Sequence, residues 1–158
     1  HQGRSEFGPR ALGARSILAS PSSKGMKDKI NSKIKFRESF RPFAPAILNE
    51  ELTNHLDSSS RYRYMTFAID TPNSLLKHIP ETIHKDGTSR IQTVLDNEGI
   101  YLYDLLNNFK RNTFFPATIN TSFNINGEPI VETPQDAIRT FYGSGMDTLY
   151  IKNFKITK

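Results

Sequence analysis

Three short segments of the sequence combine side chains that bind anions. The first runs from Gly3 to Gly13 and contains Arg10 directly after Pro9. Because proline suits the first position of a helix, this segment predicts a short helix over Ala11 to Ala19, with Arg10 in its first turn. A guanidinium beside free helical N–H groups binds phosphate or carboxylate, although a structural salt bridge is an equal alternative. The glycine spacing fits neither a dinucleotide-binding loop nor a Walker loop.

The second segment begins at Lys35 and places three cations and three phenylalanines within nine residues. In an extended chain, Lys35, Arg37 and Arg41 fall on one side, and Phe36 and Phe40 anchor the other side. This interleaving is typical of proteins that bind single-stranded nucleic acid, and it equally describes a basic surface over buried phenylalanines. The RNP signature of RNA-binding sheets is missing.

The third segment follows an apolar stretch and clusters the amides of Asn120 and Asn124 around Ser122. Amides and hydroxyls hydrogen-bond phosphates and small carbonyl compounds, and they are also common turn formers. A further cation, Arg90, lies in an alternating stretch that predicts a strand with Arg90 and Gln92 on one face.

Strands and helices interleave along the chain, which predicts a single mixed α/β domain. The best-marked helix follows Thr133, where Pro134 suits the first position, Ala137, Ile138 and Phe141 give an apolar face, and Gly143 ends it. Other predicted helices cover 24–36 and 100–109; predicted strands cover 43–48, 64–69, 88–95, 114–119 and 148–156. Pro45 favours an edge position for the strand over 43–48.

Composition excludes several classes of chemistry. The 158 residues contain no cysteine, so a disulfide framework, a Cys-ligated metal and a thiolate nucleophile are excluded, and a cytoplasmic setting is expected. No apolar run approaches the roughly 18 residues of a membrane span. His55, His78 and His84 lack metal-ligand spacing, and each is expected to be a lone surface or packing histidine. No motif places a nucleophilic serine or a catalytic pair of carboxylates, which favours binding and orienting of anions over nucleophilic catalysis.

Charge is concentrated near the start of the chain. The first 41 residues hold ten Lys and Arg against three acids, a net charge of +7, whereas the whole chain carries +5. This concentration indicates an anionic partner, although lysines on the solvated face of one helix account for part of it. The chain starts with His1 inside a dense motif, so we expect it to be a piece of a longer protein.

Four ordered motifs, at residues 3–18, 30–45, 86–94 and 120–131, closely resemble the C-terminal domain of the NodU and CmcH type O-carbamoyltransferases. The resemblance runs from end to end of residues 1–158 and implies a YrdC-like domain with a twisted mixed sheet flanked by helices. It implies that the full-length enzyme also has an N-terminal domain, absent from this chain, which holds iron or a similar metal and transfers the carbamoyl group to a hydroxyl acceptor.

The same resemblance implies that this domain binds ATP with Mg²⁺ and carbamoyl phosphate, and forms carbamoyl adenylate with release of phosphate and pyrophosphate. Its implied partners are these two substrates and the N-terminal domain of the same polypeptide, without a membrane. A nucleic-acid (RNA) or nucleotide-binding module without catalysis is the alternative. Carried over from the family, the binding residues are Arg10, Lys35, Arg41, Arg90, Asn120, Ser122 and Asn124, with Arg37 as a neighbour. The resemblance assigns the catalytic role to Arg10, Lys35 and Arg41 and places no metal in this domain.

Overall fold

A four-stranded mixed sheet forms the centre of the molecule. The computed structural model describes residues 1–56, 61–96, 100–113 and 115–158. The strands are β1 (Ser16–Ala19), β2 (Ala44–Leu48), β3 (Ile69–Asp70), β4 (Thr88–Ser89), β5 (Gln92–Val94), β6 (Ala117–Ser122), β7 (Thr148–Ile151) and β8 (Phe154–Thr157). The helices are α1 (Met26–Lys29), which continues as a π-helix (Ile30–Lys35), α2 (Asn49–Leu52), α3 (Ile100–Thr113) and α4 (Pro134–Tyr142).

The strand order of the central sheet is β1-β6-β2-β5. β6 pairs antiparallel with both β1 and β2, and β2 pairs parallel with β5. Asn120 of β6 therefore lies between Leu18 of β1 and Ala44 of β2. The intervening strand β2 has small side chains at Ala44 and Ala46, and the Asn120 amide donates across it to the side-chain oxygen of Gln92 of β5 at 2.6 Å.

Helices cover both faces of the sheet. On one face, Leu102 and Leu106 of α3 pack with Ala46, Leu48 and Val94. On the other face, a larger core joins the sheet to α1, the π-helix, α4 and β7, and its members include Ile30, Ile34, Ile119, Phe123, Phe141 and Leu149. A mixed α/β domain with a helix-flanked sheet is therefore confirmed.

The region predicted as a helix over Ala11 to Ala19 is instead a loop followed by the edge strand β1. The carboxylate of Glu6 accepts backbone N–H groups of Leu12 and Ala14, both at 2.7 Å. The carbonyls of Ala11 and Leu12 accept from side chains of the sheet. The backbone N–H and carbonyl groups that would form helical hydrogen bonds are thus bonded to side chains instead. The helix prediction was wrong.

Four strand predictions also need correction. The strand over 43–48 is internal, not an edge; its pairing with β5 begins at Ala46, so the missing N–H of Pro45 precedes that ladder. The stretch over 64–69 reaches strand geometry only at Ile69. The two longest predicted strands, over 88–95 and 148–156, each divide into two, β4 with β5 and β7 with β8.

The helix predictions over 24–36, 100–109 and after Thr133 are confirmed. Thr133 and Asp136 form a reciprocal capping box that fixes the start of α4. Ala137 and Phe141 are buried as expected, but Ile138 is exposed, because it points away from the sheet side of the helix. The strand predicted over 114–119 is β6, which starts at Ala117; its predicted first residue, Phe114, lies outside the described residues.

Within the described ranges, no helix has the length and apolar character needed to cross a membrane.

Candidate anion-binding site

Lys35 is the last residue of the π-helix and its side chain is buried. Its Nζ donates to the carbonyl and hydroxyl oxygens of Ser122, at 2.5 and 3.1 Å, and to the carbonyl and side-chain oxygens of Asn124, at 3.0 and 2.7 Å. None of these oxygens carries a negative charge. Burial without a counter-ion, and then the charge of Arg37, lower the pKa of Lys35 from 10.5 to about 7.

The end of β6 supplies the polar groups that surround this lysine. The Ser122 hydroxyl donates to the side-chain oxygen of Asn124 at 2.6 Å. Two residues earlier, the Asn120 amide donates to the carbonyl of Ala11 and to Gln92. Its Oδ1 is buried and has no hydrogen-bond partner among the described residues. An acceptor buried in this way favours a bound ligand that carries an N–H or O–H donor.

Four arginines extend the positive charge from Lys35 along the surface. Arg41 is exposed and pairs with Glu38 at 2.9 Å. Arg37 is held in place, because its Nε donates to Asn31 at 2.8 Å and its guanidinium lies over the ring of Phe43 at 4.6 Å. Burial, and then the charge of Arg41, lower the pKa of Arg37.

Arg90 and Arg10 complete this group of cations. Burial and then the charge of Arg10 lower the pKa of Arg90, and Arg90 in turn acts on Arg37. The Nε of Arg90 is buried without a hydrogen-bond partner in the described part of the chain. Like charges held together at the cost of desolvation indicate a site for an anion. We call Arg10, Lys35, Arg37, Arg41 and Arg90 the cationic cluster.

The structure brings some of the predicted site residues into direct contact and relates the others only through their charges. Lys35 is in direct contact with Ser122 and Asn124. Asn120 precedes Ser122 by two residues on β6. The arginines are charge neighbours of one another, but Arg10 is not at a helix N-terminus as expected; it lies in the loop before β1. Phe36 and Phe40 do not anchor the segment, since 49% and 66% of their surfaces are exposed. Phe43 is the buried ring instead.

The sequence did not reveal which residues hold the loop before β1, which contains Arg10. Arg15 is buried, and its guanidinium donates to the backbone carbonyls of Gln2, Gly3, Ala14 and Glu132. Gln92 donates to the carbonyl of Leu12 at 3.2 Å and so ties the loop to β5. The predicted shared face of Arg90 and Gln92 does not arise in one strand, because Arg90 lies in the break between β4 and β5.

His55 and His78 pack against an aromatic ring, and His84 forms a hydrogen bond. His78 stacks on Phe115 at 3.9 Å between ring centres, and His55 meets the same ring edge-on. His84 bonds Thr88 within a turn. Over the described ranges, no group of three His, Asp or Glu side chains is arranged to hold a metal ion.

Two cavities differ in their relation to the cluster. The larger, of about 650 Å³, follows the open edge of β1 and contains none of the predicted site residues. Its lining is mainly apolar and includes Ile17, Leu102 and Leu149. The smaller, of about 340 Å³, is lined by Ser32, Phe36, Arg37, Glu38, Arg41 and Asn126. Because anion binding requires positive charge, the smaller cavity belongs to the candidate site.

Comparison with known proteins identifies longer relatives. Nodulation protein NolNO of Sinorhizobium fredii is 42% identical over 160 residues, which cover 99% of this chain and 24% of that protein. Nodulation protein NolO of Bradyrhizobium diazoefficiens is 43% identical over 160 residues, with 99% of this chain and 29% of that protein covered. Nodulation protein U of Sinorhizobium fredii is 41% identical over 125 residues, 79% of this chain and 22% of that protein.

The chain thus spans less than a third of the length of these relatives. The family model described as "Carbamoyltransferase C-terminus" matches residues 1–158, the whole chain. This end-to-end match shows that the chain belongs to the carbamoyltransferase C-terminus family.

Proposed function

We propose that this chain is the part of a carbamoyltransferase that binds carbamoyl phosphate and ATP and joins them as carbamoyl adenylate. The carbamoyl group would then pass to a hydroxyl acceptor in an N-terminal domain of the same polypeptide. The longer relatives support a second domain. The observation that carries the proposal is a buried, unpaired acceptor, Asn120 Oδ1, on the same strand as Ser122, which accepts from Lys35.

Carbamoyl phosphate fits this combination of groups. Its phosphate is an anion and supplies the counter-ion that the buried Lys35 lacks, while its amino group offers N–H donors to an acceptor such as Asn120 Oδ1. No strong nucleophile of the protein is needed. Water first cleaves carbamoyl phosphate to carbamate and inorganic phosphate. A carbamate oxygen then forms the new bond to the α-phosphorus of ATP, and the bond from that phosphorus to the bridging oxygen of the β-phosphate breaks, which releases pyrophosphate. Arg10, Lys35 and Arg41 would stabilise the charge that develops on the leaving pyrophosphate.

Mg²⁺ would arrive with the nucleotide. The described residues offer no three-ligand cluster for it, and Mg²⁺ is commonly held by substrate phosphates with few protein ligands. No step of the proposal requires a metal bound to this chain alone.

The test is pyrophosphate release from ATP by the purified chain, with and without carbamoyl phosphate. We expect release only when carbamoyl phosphate is present, and its loss in Arg10→Ala and Ser122→Ala. Arg4→Ala is the matched control, because Arg4 is an exposed arginine of the same loop. Binding of both substrates by calorimetry, without release, would restrict the chain to binding. Absence of both binding and release at millimolar substrate would overturn the proposal.

A second candidate function is binding of single-stranded RNA without catalysis. The net charge of +7 over the first 41 residues and the exposed rings of Phe7 and Phe40 favour it. Contacts to phosphates weaken as salt rises, so a gel shift that is lost between 50 and about 200 mM salt would support this function. No shift at low salt would exclude it.

A further inference from the structure

The small cavity beside the cationic cluster contains one exposed aromatic ring. Phe36 lines it together with Arg37 and Arg41. Arg37 interacts electrostatically with both Arg41 and Arg90, so the cavity adjoins the cationic cluster, which the proposed function assigns to phosphates. Its volume of about 340 Å³ lies within the range of roughly 300–1,000 Å³ for small-molecule sites.

The backbone holds Phe36 at the surface. Phe36 follows the π-helix with φ 49° and ψ 49°, a left-handed conformation that L-residues other than glycine seldom adopt. Half of its surface is exposed, whereas Phe43 in the same motif is buried. A bulky residue kept in a costly conformation with its ring exposed contributes little to the core. Such local strain is concentrated at functional sites.

The other lining groups favour a flat, heteroaromatic ligand. Asn126 is exposed and offers an amide with both donors and an acceptor, the pattern that matches the edge of a base. Glu38 is also at the cavity and pairs with Arg41, so its negative charge disfavours phosphate beside it. An uncharged ring is therefore better placed against Phe36 and Glu38, with the phosphates directed towards the cations of the cluster.

We propose that Phe36 is the platform on which the base of a nucleoside triphosphate stacks, with Asn126 at the edge of that base. This inference rests on the proposed function, because it assumes that the cationic cluster binds the phosphates of the same nucleotide. Stacking of a base on an aromatic side chain contributes about 1–3 kcal/mol. Loss of the ring should therefore weaken nucleotide binding by roughly 5-fold to 150-fold.

The experiment compares ATP with tripolyphosphate, which carries the phosphates but no base. Calorimetric titrations of both would use the wild-type chain, Phe36→Ala, Phe36→Tyr and Phe40→Ala. Phe40 is the matched control, because it is an exposed phenylalanine of the same motif that does not line the cavity. We expect Phe36→Ala to weaken ATP and leave tripolyphosphate unchanged, Phe36→Tyr to retain ATP affinity, and Phe40→Ala to bind ATP as the wild type does. Circular dichroism confirms that each variant is folded.

Three results would overturn the inference. Equal weakening of ATP and tripolyphosphate by Phe36→Ala would mean that the ring supports the cluster and does not contact a base. Unchanged ATP affinity in Phe36→Ala would show that the base does not stack on Phe36, and it would not contradict the proposed function. A wild-type chain that binds carbamoyl phosphate but not ATP would remove the nucleotide half of the proposed function together with the platform.

Discussion

At the scale of single residues, the environment of Lys35 determines how the site responds to pH. The ammonium is buried among four uncharged oxygens, and its pKa is lowered to about 7. In the unfolded chain the same group titrates near 10.5. Lys35 therefore loses its proton at a lower pH in the folded state than in the unfolded state. A bound anion would stabilise the protonated form of Lys35.

This difference in pKa predicts that the protein becomes more stable as pH rises from about 7 towards 10.5. Below pH 7 both states are protonated at Lys35 and the cost of burial is fully present. Above it the unfolded chain binds more protons, so the free energy of unfolding gains up to about 1.4 kcal/mol per pH unit. Urea unfolding at pH 7, 8 and 9 measures this slope.

In Lys35→Met, the free energy of unfolding should rise less steeply with pH than in the wild type. Lys33 is an exposed residue of the same π-helix, so Lys33→Met should keep the wild-type slope. Equal slopes in the wild type and Lys35→Met would show that Lys35 is not the titrating group.

At the scale of elements, the π-helix is positioned by its contact with the loop after α4. The backbone N–H of Gly145 donates to the carbonyl of Lys33 at 2.8 Å. A Cβ atom at Gly145 would lie 2.8 Å from that same oxygen and 3.0 Å from the Cβ of Lys33. These are backbone and near-backbone atoms, so the π-helix itself would have to move, and it carries Lys35.

Gly145→Ala is therefore expected to destabilise the protein by about 1–3 kcal/mol, as overpacking in a close contact generally does. It should also weaken carbamoyl phosphate binding, because Lys35 shifts relative to Ser122. Thermal unfolding and calorimetry measure the two effects. Gly143→Ala is the matched control: Gly143 has an ordinary φ of −78°, and its added Cβ comes no nearer than 3.3 Å to Arg139. If Gly145→Ala is as stable as Gly143→Ala, the contact does not hold the π-helix.

Elements with local signals were predictable from the sequence, and those shaped by distant partners were not. The start of α4 could be predicted because Thr133, Pro134 and Asp136 form its cap within four residues. The loop before β1 could not, because the groups that displace a helix there are Glu6 and the side chains of Gln92 and Asn120. The polar residues of the candidate site could be predicted because their side chains are of types that bind anions. The role of Arg15 could not be predicted, because its partners are backbone carbonyls, which any residue can supply.

At the scale of the whole molecule, the cationic cluster opposes stability in the absence of ligand. Arg90 is half-buried, has an unpaired Nε among the described residues, and lies near the positive charges of Arg10 and Arg37. Groups arranged for a ligand commonly lower the stability of the free protein. The chain as a whole carries +5, which adds to this repulsion.

Arg90→Gln should therefore keep or raise the free energy of unfolding of the ligand-free chain while lowering carbamoyl phosphate affinity at least tenfold. Loss of one charge-assisted hydrogen bond, about 1.5–3 kcal/mol, accounts for that loss of affinity. Urea unfolding and calorimetry on the same preparation measure both. A loss of stability above about 1 kcal/mol would mean that Arg90 is a structural residue, and Arg4→Gln serves as the exposed control.

The strand order has a consequence for how the protein forms during synthesis. β6 lies between β1 and β2 but follows both in the chain, and it pairs Leu18 with Asn120. Until residues 117–122 have left the ribosome, β1 has no neighbour in the sheet, and β2 can pair only with β5. Such non-local pairing is slow to form. Asn120 and Ser122 are on this late strand, so the candidate anion-binding site arises only when the sheet closes. A ligand bound there would stabilise the finished fold but would not guide its early steps.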